Sequence, residues 1–137
     1  MRSLLSCFAV LAALAVASPA AFAAPAEHDI DGTVILNDGF GNEGEPCAGT
    51  GQYADITAGA KVTLKDTHNK TVGVATLNQG TWTAAVTGGD FVTCEFPFSL
   101  KVPTSRAYAV QIAKRKAGKV SAKSLAANDW VLSVRLG

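Results

Sequence analysis

The chain has 137 residues, with 12 Lys and Arg against 11 Asp and Glu. A balance this close to neutral argues against nucleic acid as a partner. The length allows one ordinary domain with a sizeable core and leaves no room for a second.

Met1 and Arg2 open the chain with positive charge, Leu4 to Val16 form an apolar run, and Ala21-Phe22-Ala23 supplies the small-x-small pattern of a cleavage site. Residues 1–23 are expected to be a cleaved secretory signal peptide and 24–137 the folded domain. The apolar run is too short and too rich in alanine for a bilayer crossing, and no membrane span is expected in the mature chain. Cys7 leaves with the signal. Cys47 and Cys94 then remain in an oxidising compartment, where two thiols read most simply as one disulfide. The expected location is secreted, in the extracellular space or the cell envelope.

Beyond the signal a period of two dominates. Ile30, Val34 and Leu36 alternate with small or polar neighbours, and a glycine-rich, acidic connection follows over Asn37 to Thr57. Val62 and Leu64 mark the next strand, closed by a turn at Asp66 to Lys70. Two weaker strands, Thr71 to Leu77 and Thr81 to Val86, flank Asn78-Gln79-Gly80, which predicts a tight hairpin on the glycine; another turn is expected at Thr87 to Asp90. The strongest strand carries Cys94, Phe96, Phe98, Leu100 and Val102 on one face. Pro97 within it cannot donate to a ladder, which predicts a sheet edge or a bulge. Tyr108, Val110 and Ile112 follow, then Lys114-Arg115-Lys116-Ala117-Gly118-Lys119, read as a basic hairpin-like turn. Ser121 to Asn128 predicts one helical turn, and Trp130, Leu132, Val134 and Leu136 share a face of the last strand, with Trp130 in the core. About seven or eight short strands at this spacing define an all-β fold, a single antiparallel β-sandwich, immunoglobulin-like or prealbumin-like, with one disulfide.

The candidate chemistry is sparse. No Gly-x-Ser-x-Gly elbow occurs, and His28 and His68 lack a second ligand at metal spacing. Asp38, Asn42, Glu43 and Glu45 offer calcium hard oxygens but not in the order of an EF-hand, and acidic residues on a loop also serve solubility. Asn69-Lys70-Thr71 fits the glycosylation triplet, which counts only in a host that glycosylates exported proteins. The acids crowd the first half and the bases the second, giving either a dipolar surface or, if the fold interleaves the two ends, local neutralisation. Lys114, Arg115 and Lys116 are candidate binding residues for an anionic envelope polymer or lipid headgroups; the competing reading is a solvated turn whose lysines blunt an edge strand.

Several motifs resemble those of uncharacterised small exported β-rich proteins of actinobacteria. They are Pro46-Cys47-Ala48-Gly49-Thr50-Gly51-Gln52-Tyr53-Ala54-Asp55-Ile56, Gly59-Ala60-Lys61-Val62-Thr63-Leu64-Lys65-Asp66, and Cys94-Glu95-Phe96-Pro97-Phe98. The resemblance implies an envelope or secreted protein with no named activity. Where such proteins show a His-Arg-Gly-like turn, this chain has Lys114 to Gly118, basic but without histidine. Inside the first motif, Tyr53 and Asp55 either grip a sugar or peptide, or serve structure, with Tyr53 capping the core and Asp55 accepting backbone hydrogen bonds in a turn.

The resulting expectation is an exported, noncatalytic interaction or structural protein without a cofactor, whose partner is an anionic envelope polymer or another exported protein. One alternative is a carbohydrate-binding or calcium-assisted adhesive module, marked by an exposed Trp82 or Trp130 beside the acidic loop. Another is a hydrolase pairing Asp55 with Glu95, one of them raised in pKa by burial.

Overall fold

The computed structural model describes residues 24–37, 40–84 and 92–137. The expected signal peptide, Asp38 and the turn expected over 87–90 lie outside the described residues. Among those described, nine strands make two sheets: β1 (Glu27–Leu36), β2 (Pro46–Cys47), β3 (Lys61–Lys65), β4 (Thr71–Thr76), β5 (Gly80–Ala84), β6 (Val92–Pro103), β7 (Ala107–Ile112), β8 (Arg115–Ser121) and β9 (Val131–Leu136). One helix, α1 (Ala122–Ala127), joins β8 to β9, capped where the Ser121 hydroxyl accepts the Ser124 amide at 3.0 Å.

The first sheet runs β2-β5-β6-β1-β9 and the second β4-β3-β7-β8. The alternation in the sequence sets the layer between them. Ile30, Val34, Leu36, Val62, Leu64, Phe96, Val102, Tyr108 and Ile112 are all buried in one core, while their neighbours face outward. The sheets pack closely at Gly73 of β4, where a Cβ would come within 2.7 Å of Leu100 and 2.8 Å of Val102 on β6. Tyr108 locks the turn between β6 and β7: its hydroxyl donates to the Pro103 carbonyl at 2.8 Å and accepts the Ser105 amide at 3.1 Å. Burial raises its pKa above the ordinary phenol value, the Ser105 contact opposing.

The all-β sandwich and its disulfide are present, and several details depart from the sequence reading. Strands β1 and β9 pair in parallel, because β9 is reached through α1 from the other sheet and no hairpin dictates its direction. The Asn78-Gln79-Gly80 segment is a crossover between sheets and no hairpin, since β4 pairs with β3 and β5 with β6 and β2. Gly80 serves close packing there: a Cβ would meet the Phe96 ring at 2.5 Å and the Cys47 carbonyl at 2.9 Å.

Strand β6, read as an edge or bulged strand on account of Pro97, is interior and unbroken in its pairing with β1. Pro97 is tolerated because its polar groups face past the end of β5, where its carbonyl accepts the Asn78 amide and no donor is needed. The basic segment read as a turn is mostly strand β8; the turn itself is Ala113-Lys114, with Ala113 at φ 50°. Trp130 packs against the margin of the core and is not buried within it. It precedes β9, half-buried at φ 60°, and stacks on the His28 ring with centroids 3.6 Å apart.

Candidate functional site

The glycine-rich connection folds back on itself before reaching β3. Cys47 ties it to Cys94 in β6, with Cα atoms 5.9 Å apart. The Gly49 amide then donates to the Ile56 carbonyl at 2.8 Å, closing a lobe around a single 3₁₀ turn at Gly51–Tyr53. Gly49 is required because a Cβ would stand 1.9 Å from the Tyr53 carbonyl. Ile56 is fully buried, so the lobe is anchored to the core at both ends.

This lobe meets the β7–β8 hairpin through Arg115. Its Nη2 donates to both the Gln52 carbonyl and Asp55 Oδ1, and its guanidinium lies over the Tyr53 ring, 4.9 Å from the centroid. The hydrogen bond from Arg115 holds the Asp55 carboxyl below the usual carboxylate range against desolvation, with help from its own backbone and the charge of Lys114. Three of the five candidate binding residues therefore form one internal clamp. Asp55 finds its main partner in a guanidinium, where a turn amide was expected.

The charge asymmetry along the chain is partly cancelled by folding. Asp55 reaches Arg115, and Asp29 lies 3.4 Å from Lys101 across the β1–β6 pair. Lys114 projects at the hairpin tip, exposed but beside Asp55. Lys116 and Lys119 on β8 are exposed and, among the described residues, make no ion pair. Alongside them on the same sheet face runs a groove of about 450 Å³, whose lining includes Lys65 from β3 and Gln111 from β7. Sequence reasoning missed Lys65, which lies about fifty positions away and becomes a neighbour only through the β3–β7–β8 order.

The rival chemistries gain little from the geometry. Asp55 is shifted in the direction opposite to that of a general acid, while Glu95 sits in β6 opposite Thr81 and accepts the Thr93 hydroxyl at 3.4 Å. Trp82 does lie beside the acidic loop, but it is half-buried, and a Cβ on Gly41 would touch its indole at 2.1 Å. Asn42 donates to Glu45 at 3.1 Å, and among the described residues no three His, Cys, Asp or Glu side chains are grouped as metal ligands. Compared with protein families, curated proteins and solved structures, the chain finds no match in any of the three.

Proposed function

We propose that the protein is an exported, noncatalytic interaction module of the cell envelope or extracellular space, and that its partner is an anionic envelope polymer. A core disulfide supports the export reading, because such bonds persist in oxidising compartments. The resemblance to small exported proteins accords with it. The observation that carries the interaction reading is the division of labour at the tip of the β7–β8 hairpin: Arg115 is engaged in the clamp, whereas Lys114 and Lys116 keep exposed ammonium groups directed to no backbone or side-chain acceptor among the described residues. Exposed point charges of this kind attract polyanions at low ionic strength and are screened beyond about 8 Å at physiological salt.

Cosedimentation of the mature protein with purified envelope fractions tests this. Retention at low salt should fall at high salt and fall again in a Lys114→Gln/Lys116→Gln variant, Arg115 being left intact so that the lobe stays in place. Equal sedimentation of wild type and variant at both salt concentrations contradicts the proposal.

A further inference from the structure

The groove on the outer face of the four-stranded sheet is built by a single irregularity in β8. In a regular strand Lys116 and Lys119 would point to opposite faces, because side chains alternate. The β7–β8 register instead jumps between Val110 and Gln111: Gln111 pairs with Lys116, Val110 with Gly118 and Ala109 with Lys119. One extra residue, Ala117, is accommodated as a bulge, with Gly118 at φ +122° where L side chains rarely go. The consequence is that Lys116 and Lys119 stand on one face, opposite Gln111 and Ala109.

Across the same row, Ala109 pairs on its other side with Lys65. Two lysines thus flank an alanine, separated by two strand spacings of about 4.8 Å each, a gap that a tetrahedral anion fills while reaching both ammonium groups. Lys116 lies two residues further along the face, about 7 Å on, with the amides of Gln111 and Asn69 at the groove wall. Asp66 lines an adjoining recess, where its Oδ1 accepts the amides of His68 at 2.8 Å and Lys70 at 3.0 Å.

Resting on the proposed function, we infer that this groove is the site for the polymer and that the polymer is a linear polyol phosphodiester, with one phosphate between Lys65 and Lys119 and the next at Lys116. The donor set selects phosphate. Lysines act as point charges, and the guanidinium fork that matches a planar carboxylate is absent from the groove, Arg115 being held by Asp55. Among the described residues nothing aromatic lines the groove, so it lacks the stacking platform on which single-stranded nucleic acid relies.

Binding of a poly(glycerol phosphate) chain to the folded mature protein, measured by titration calorimetry, provides the test, with polygalacturonate and a single-stranded oligonucleotide at matched charge as parallel arms. Wild-type affinity for the phosphodiester should drop about tenfold between roughly 50 and 200 mM salt, as expected for two or three neutralised phosphates. Lys65→Gln/Lys119→Gln should bind about tenfold more weakly or worse, and Lys123→Gln, on α1 and outside the groove, within about twofold of wild type. These three positions are at the surface, and an unchanged thermal midpoint confirms folding. Wild-type affinity retained in Lys65→Gln/Lys119→Gln overturns the groove; if Lys114→Gln/Lys116→Gln still loses retention on envelope fractions, the proposed function survives without it. Tighter binding of the polyuronate overturns phosphate as the recognised group, tighter binding of the oligonucleotide overturns the polyol backbone, and no wild-type binding to poly(glycerol phosphate) alongside salt-sensitive retention on envelope fractions overturns the assignment as a whole.

Discussion

Asp55 and Arg115, 60 positions apart, form an ion pair that fastens the disulfide-pinned lobe to the β7–β8 hairpin. Because Arg115 holds the Asp55 pKa below its ordinary value of 3.8, the pair contributes stability above that pH and loses it as the pH falls through the folded value. Asp55→Asn should therefore lower the thermal midpoint at pH 7, and the difference from wild type should close on acidification below 3.8. A difference that stays constant down to pH 2 would show that the carboxylate charge plays no part.

The bridge between Cys47 and Cys94 closes a loop with a sequence separation of 47. Constraining a loop of that size in the unfolded chain is worth about 4 kcal/mol in the chain-entropy model. A Cys47→Ala/Cys94→Ala protein should lose about that much in denaturant unfolding. Alkylation of denatured, unreduced protein recovered from outside the cell should label neither cysteine, and labelling of either contradicts the exported, bridged state.

Gly32 in β1 faces Phe98 across the pair with β6, and a Cβ at that position would lie 2.0 Å from the end of the phenyl ring. Gly32→Ala should cost about 1–3 kcal/mol by overpacking. Combining it with Phe98→Leu should recover part of that cost, giving a coupling that independent sites lack. Strict additivity of the two substitutions in denaturant melts would place the ring elsewhere.

What the sequence made legible is the set of strands with a buried face. In β6, Cys94 to Val102 alternate and every inward residue is buried. Ser121 to Asn128 held the signal for α1 because serine caps and alanine favours the helix. Strand β8 was hidden because Arg115 to Lys119 carries no apolar alternation; it is strand through pairing with β7. The Gly80 segment misled because a glycine needed for close approach to Phe96 looks, in sequence, like one needed for a turn. Of the site, Tyr53, Asp55 and Arg115 were visible singly, but their meeting depends on a loop returning across the sheet edge, and Lys65 joins Lys119 only by strand order.

Trp130 stacks on His28 with planes 9° apart, and its backbone is held by donation of its amide to the Leu125 carbonyl at 2.8 Å. A double-mutant cycle over His28→Ala and Trp130→Ala should show a coupling of about 0.5–1.5 kcal/mol. Zero coupling would mean that the tryptophan is fixed by its other contacts alone.

The most direct test of the account is a nuclear magnetic resonance titration of residues 24–137 with a short glycerol-phosphate oligomer at low salt, following backbone amides and lysine ammonium groups. The expected result is a set of shifts confined to the outer face of β3, β7 and β8, centred on Lys65, Ala109 and Lys119, and reversed by added salt. Shifts centred on the Tyr53 lobe or on Trp82, or none at all, would contradict it.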